Sequence, residues 1–188
     1  MKIVSGRFRG RLLETPKGRD VRPTGARARE AVFNILANGK PGIDLQGLTV
    51  LDAFAGTGAL GFEALSRGAA EALFLDRSLD SLTLIRRNAS KLGILDACTM
   101  LRLDTTKLGP MPRTAAAANI AFLDPPYGQG LVEPALRGLA RFGWLTPDAT
   151  VVVETQAKYD LITGPGYTPI DVRDYGAARV HFLQRTGD

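Results

Sequence analysis

The stretch LTVLDAFAGTGALGFEALSRGA, residues 48–69, decides the fold. An apolar run, LTVLDAF, meets three glycines at Gly56, Gly58 and Gly61, and an amphipathic segment over 59–68 follows. That order predicts a strand, a tight turn and a helix, with the first helical N–H groups open to a ligand at the turn. A GxGxxG pattern alone is weak, because glycines also serve tight turns that hold nothing. Its place between a strand and a helix is what points to a nucleotide-type cofactor.

The next apolar run, ALFLD (72–76), ends in Asp76, eighteen residues after Gly58, where a carboxylate can accept from two ribose hydroxyls. NAD and S-adenosylmethionine both carry such a ribose. Asp52 separates them. It closes the first strand four residues before Gly56, close to where a dinucleotide pyrophosphate would lie, and like charges there repel at low effective dielectric. S-adenosylmethionine instead brings an ammonium and a sulfonium, which a carboxylate attracts. A helix- or turn-capping acid would read the same way. Asp104 ends a third run, at a level where it can accept from an adenine amino group or simply cap a loop.

Outward from this unit, CTMLRLD (98–104), NIAFLD (119–124) and TVVVE (150–154) read as further strands, with helices near 78–92 and 131–143 and Ser78 as an N-cap. Strands that are apolar throughout and alternate with helices predict an α/β, Rossmann-like parallel sheet covered on both faces. After Pro165, segments near 167–173 and 178–185 read as a closing antiparallel hairpin. The segment TTKLGPMPRTAAAA (105–118) has no periodicity that places it.

At 188 residues the chain suits one well-filled core. With 45% hydrophobic and 23% charged residues it falls in the soluble globular class, and no apolar run nears the roughly 18 residues of a membrane span. MKIVSGRFRG lacks the apolar stretch of a signal peptide. A lone cysteine, Cys98, excludes an internal disulfide and reads as a buried thiol in a reducing cytoplasm. The lone histidine, His181, falls in the late hairpin and reads as structural. A cytoplasmic monomer without a metal is the expectation.

The charge of +5 is uneven: residues 1–30 carry nine Lys/Arg against three Asp/Glu, the remainder fifteen against sixteen. A basic appendage over 1–40 on a near-neutral domain over 41–188 suggests a polyanionic partner. Residues 2–14 read as a hairpin or two short strands broken at Ser5-Gly6, in which Arg7, Arg9 and Arg11 share one face by the period of two. Lys17, Arg19, Arg22, Arg27 and Arg29 follow, so the stripe reads as phosphate-binding, as RNA would require, or else as a solvated face. A helix then begins near Thr24, its expected N-cap, and ends at Gly39, with Ala28, Ala31, Val32, Ile35 and Leu36 on its apolar side.

The fourth strand delivers Asp124-Pro125-Pro126-Tyr127 to the edge that holds the glycine loop. Two prolines stop a ladder and fix the backbone, as any strand terminator would. Beside a methyl donor they can do more. An exocyclic amine on a nucleobase is planar and weakly nucleophilic, and bonds from its two N–H groups to the Asp124 carboxylate and the Pro125 carbonyl favour the pyramidal nitrogen that attacks. Tyr127 can stack on the unstacked base.

These residues resemble class I S-adenosylmethionine-dependent methyltransferases that act on exocyclic amines. More closely, the chain resembles the RsmD family, bacterial enzymes that methylate guanine N2 in 16S ribosomal RNA. The likeness runs through IVSGRFRGRLLETPKGRDVRPTGARAREAVFNIL (3–36), VLDAFAGTGALGFEALSRGA (50–69) and FLDPPYGQG (122–130). The first stretch is the specific one, since glycine loops and DPPY also occur in DNA adenine and cytosine N-methyltransferases. The resemblance implies cofactor contacts at Asp52, Phe54, Gly56, Gly58, Asp76, Arg77 and Asp104, and catalysis at Asp124 through Tyr127. It implies RNA held by Arg7, Arg9, Arg11, Arg22, Arg27 and Arg29, within the small subunit or an assembly intermediate. It also implies a seven-stranded sheet whose last pair is antiparallel, and S-adenosylhomocysteine as product. A DNA adenine-N6 methyltransferase would need a recognition domain for which the chain has little room. A non-catalytic RNA-binding protein would leave the glycine loop idle, and an NAD oxidoreductase would leave DPPY idle.

Overall fold

The computed structural model describes residues 1–16 and 23–187. Its strands are β1 (Thr49–Ala53), β2 (Glu71–Asp76), β3 (Cys98–Arg102), β4 (Ala118–Leu123), β5 (Leu145–Gln156), β6 (Tyr167–Tyr175) and β7 (Ala178–Arg185). They form one sheet in the order β3-β2-β1-β4-β5-β7-β6. Strands β1 to β5 pair in parallel, and β7 runs antiparallel between β5 and β6. The expected closing hairpin is therefore present, with β5 longer than the run TVVVE suggested.

Each parallel strand splits its apolar residues between two cores by alternation. Val50, Phe74, Ile120, Phe122 and Val152 join one, and Leu51, Leu73, Leu75, Ala121 and Val153 join the other. Helices α1 (Pro23–Asn38), α2 (Ala59–Ser66) and α3 (Leu79–Leu92) cover the first face through Phe33, Phe62 and Ile85, while α4 (Val132–Arg141) covers the second through Leu136 and Leu139. Gly61 permits a close approach of α2 to the sheet: a Cβ there would lie 2.3 Å from the Phe74 ring. Ser78 caps α3 by accepting from the Ser81 N–H at 3.3 Å, as the sequence predicts. Helix α1 starts at Pro23, so Thr24 lies inside it rather than at its cap.

The N-terminal segment contributes Ile3 and Leu13 to the first core. Residues 1–3 pair with 11–13 through a Lys2–Leu12 bridge and a Leu13 N–H bond to the Met1 carbonyl at 2.7 Å. Between them the arginine strand does not form: the chain bends at Ser5-Gly6 and residues 7–10 are turns. The backbone donors that a strand needs are used elsewhere: Arg7 N–H bonds the Ser66 carbonyl at 2.8 Å, Phe8 N–H bonds Ser66 Oγ at 3.0 Å, and Arg9 N–H bonds the Gly6 carbonyl at 3.1 Å. Arg7, Arg9 and Arg11 are exposed, but around a loop docked on the end of α2 instead of along one face. Lys17, Arg19 and Arg22 lie outside the described residues.

Arg29 departs from the phosphate-binding expectation altogether. It is 6% exposed, donates from Nη2 to the Lys2 carbonyl at 2.8 Å, and pairs with the buried Glu63 at 3.6 Å. A guanidinium so enclosed ties the arm to α2 and is withdrawn from any phosphate. The unplaced 105–118 segment also gains a structural account. Asp104 caps a 3-10 turn at Thr105–Lys107, Leu108 is buried against α4, and the Trp144 indole N–H donates to the Gly109 carbonyl at 2.9 Å.

Candidate active site

At the carboxyl ends of β1, β2, β4 and β5 lies an open cleft of about 960 Å³. Strand β1 is where the chain's connections change direction, with β2 on one side and β4 on the other, the place where open α/β sheets hold ligands. The strand alternation that sorts the core also places the acids. Asp52, Asp76, Asp124 and Glu154 stand two residues beyond Val50, Phe74, Phe122 and Val152, so all four fall on one face at the ends of their strands. Among the lining residues six acids, those four with Asp80 and Asp104, face two cations, Arg77 and Arg87.

The glycine loop divides its work. Gly58 (φ 76°) precedes α2, and a Cβ there would sit 2.8 Å from the Phe62 ring, so with Gly61 it serves packing. Gly56 (φ 54°) would have no atom closer than 3.8 Å to a Cβ; its backbone lines the cleft where a ligand approaches. Phe54, also in the cleft wall, holds φ 70°, a left-handed conformation that a non-glycine residue adopts at a cost.

Asp76 fastens this loop. Its Oδ2 accepts from the Gly56 N–H at 2.8 Å and its Oδ1 from the Ser78 N–H at 2.8 Å, leaving each oxygen a second lone pair for hydroxyl donors. Asp52 is 2% exposed and accepts from the Gly61 N–H at 2.9 Å. Burial pushes its carboxyl up to about 7; the Gly61 bond opposes this, while Asp124 and Asp76 add to it. Asp124 is open to the cleft, yet the protein crowded round it, and then the Glu154 carboxylate, hold it above the ordinary carboxylate range. Asp104 fulfils its loop-capping reading, accepting from the Thr106 hydroxyl at 2.6 Å and N–H at 3.0 Å, and these bonds hold its pKa low.

Asp52, Phe54, Gly56, Asp76, Arg77, Asp104 and the whole of Asp124-Pro125-Pro126-Tyr127 line this one cleft. Gly58 supports it from behind, and Arg7, Arg9, Arg11 and Arg27 lie outside its wall. His181 is buried and shares a 3.1 Å bond with Thr155 Oγ1, away from the cleft; burial raises the Cys98 thiol to about 12. Sequence reasoning passed over Glu154, whose Oε1 accepts from the Tyr127 hydroxyl at 2.7 Å. The signal was there: TVVVE ends in an acid just as LTVLD, ALFLD and NIAFLD do.

The donor set fits S-adenosylmethionine. A recessed, predominantly acidic cleft suits a ligand bearing an ammonium and a sulfonium, Asp76 retains acceptors for a ribose, and the Gly56 backbone allows close approach. A dinucleotide pyrophosphate would meet the Asp52 carboxylate, which no ion pair among the described residues neutralises.

Residues 1–184 match the family described as conserved hypothetical protein 95. The ribosomal RNA small subunit methyltransferase D of Haemophilus influenzae is 32% identical over 185 residues, covering 98% of this chain and 93% of that protein. Its namesake from Escherichia coli is 38% identical over 167 residues, 88% of this chain and 79% of that one. Among solved structures, yhhF of Escherichia coli superposes with a TM-score of 0.84 at 30% identity, covering 100% of this chain and 99% of its own. The match runs over nearly the whole sequence, and the chain belongs to the conserved hypothetical protein 95 family, that of the RsmD methyltransferases.

Proposed function

We propose that this protein transfers a methyl group from S-adenosylmethionine to the exocyclic N2 amine of a guanine in 16S ribosomal RNA, releasing S-adenosylhomocysteine. The observation that carries the reading is the meeting, in one acidic cleft, of the glycine loop and its two strand-end acids with Asp124-Pro125-Pro126-Tyr127. The relatives named for small-subunit ribosomal RNA supply the substrate class.

When bound, S-adenosylmethionine supplies an electrophilic methyl carbon on a sulfonium. Asp52, Phe54, Gly56, Asp76, Arg77 and Asp104 would hold it, with Gly58 shaping the turn. Asp124 and the Pro125 carbonyl accept from the two N–H groups of the base amine, which turns the nitrogen lone pair out of the ring plane. The prolines keep these acceptors in place during the reaction. Tyr127, 41% exposed and hydrogen-bonded to Glu154, offers its ring to the unstacked base. After transfer the amine sheds a proton, and an Asp124 carboxylate held above the usual range is matched to receive it. Arg7, Arg9, Arg11, Arg22 and Arg27 would bind RNA phosphates, without the buried Arg29.

The enzyme would act in the cytoplasm as a monomer on the small subunit or an assembly intermediate, with no metal. Among the described residues no helix is long and apolar enough to cross a membrane. Radiolabelled S-adenosylmethionine with small subunits from a strain lacking the native enzyme tests this. Label in guanine N2 is expected; label only in DNA, or RNA binding without label, overturns it.

A further inference from the structure

The rim of the cleft beside Asp124 offers acceptors and few donors. Pro125 and Pro126 have no backbone N–H, so the DPPY segment presents carbonyls there. Leu123 pairs with Val153, which sets Asp124 and Glu154 side by side at the next step of β4 and β5, about 4.8 Å apart as neighbouring strands are. Asp124 responds to the Glu154 charge. Glu154 is half-buried, lines the same cleft, and has Oε1 engaged by the Tyr127 hydroxyl at 2.7 Å, which orients the carboxylate and leaves Oε2 as a further acceptor.

Two adjacent carboxylates fit an edge that carries two adjacent donors. Guanine has such an edge, with N1–H next to the 2-amino group. Adenine and cytosine do not, because their amines neighbour a ring nitrogen whose lone pair a second carboxylate would repel. Asp124 alone serves any exocyclic amine.

Resting on the guanine-N2 reading above, we propose that Glu154 is a specificity-determining residue that accepts from guanine N1–H while Asp124 accepts from the 2-amino group. The site thereby selects guanine on its own account, in addition to any selection by the RNA that delivers the base. Tyr127 contributes twice, stacking on the base and holding the carboxylate that reads it.

The test compares reconstituted small subunits carrying guanine or 2-aminopurine at the methylated position. 2-Aminopurine keeps the 2-amino group but has a lone pair at N1 in place of N1–H. Wild-type protein is expected to methylate guanine at least about tenfold faster. Glu154→Gln, whose amide can turn a donor toward N1, is expected to narrow that ratio by about tenfold. Tyr127→Phe keeps the stacking ring but releases the Glu154 carboxylate, so it should narrow the ratio by less than Glu154→Gln does. Because 2-aminopurine also lacks O6, the change of ratio in the variant is decisive; calorimetric binding of S-adenosylmethionine checks that each variant is folded, and should Glu154→Gln fail to bind, Glu154→Ala takes its place with the same narrowing expected. Equal wild-type rates on the two bases, an unchanged ratio in Glu154→Gln, or a ratio narrowed as much by Tyr127→Phe overturns the role of Glu154 while the guanine-N2 reading survives. Label on neither base would sink that reading, and this inference with it.

Discussion

Glu63 and Asp52 are both buried carboxylates, 0% and 2% exposed, yet their surroundings are opposite. Glu63 accepts from the Val4 N–H at 2.8 Å, the Ser5 N–H at 3.0 Å and Arg67 Nε at 2.9 Å, and Arg29 lies 3.6 Å away. Asp52 accepts from the Gly61 N–H and faces the like charges of Asp124 and Asp76. Removing a charge from water costs several kcal/mol unless partners replace the water, so Glu63 holds its charge as a structural joint while Asp52 keeps its proton up to a higher pH. The difference teaches what each end of α2 is for. Glu63 and Ser66, toward its C-terminus, fix the N-terminal arm, while its N-terminus and Asp52 face the cleft.

The contrast can be broken from either end. Glu63→Ala should produce the largest loss of stability, about 3–5 kcal/mol, because two guanidinium groups and two backbone donors lose their acceptor together. A fall in the urea midpoint with methyl transfer largely intact at low denaturant is the expected result; a midpoint near wild type would mean the joint contributes little. Asp124→Asn should lower the transfer rate by about 10²–10³, the scale of losing one charge-stabilising group, with cofactor affinity within a few-fold. Single-turnover assays and calorimetry separate the two effects, and a near-wild-type rate would remove Asp124 from the acceptor role.

Asp52→Asn should behave oppositely to Glu63→Ala. Cofactor affinity should fall about tenfold while stability at pH 8 holds or rises. With its folded pKa raised to about 7, Asp52 binds its proton more tightly in the folded chain than in the unfolded one. The stability it contributes is therefore full below the unfolded value near 4 and is lost as pH rises toward 7, by at most about 1.4 kcal/mol per pH unit. Thermal unfolding between pH 4 and 7 should show this slope in the wild type and a shallower one, left by Asp124, in the variant; equal slopes would contradict it. Over the same range, affinity for the cationic cofactor should increase with pH. The smallest effect per residue is expected from Arg7, Arg9 and Arg11. Replacing all three by Ala should reduce the salt slope of RNA binding by about one unit for each phosphate that is no longer neutralised. An unchanged slope returns the turn to a solvated surface.

Much of the site was legible because its residues belong to periodic segments. Asp52, Asp76 and Asp124 each end an apolar run, and in a parallel sheet every such run delivers its last residue to the same edge. Glu154 obeys the same rule, and its partnership with Tyr127 emerges only when β5 is set beside β4. The N-terminal arm misled because alternation is a strand signal only where the backbone can pair, and Ser66 captures the donors of Arg7 and Phe8. Arg29 misled for a related reason: the acid that buries it stands thirty-four residues away in α2.

By itself, then, the sequence determined the α/β alternation, the glycine turn, the acids at the strand ends and the proline-locked edge, since each follows from local periodicity and backbone chemistry. Tertiary structure alone decided which arginines stay exposed, which buried carboxylate is paired with guanidinium groups and which is set among other carboxylates, and that Glu154 stands next to Asp124. Those outcomes depend on partners distant in the chain, and the energy of a buried charge is set by what packs against it rather than by its neighbours in sequence.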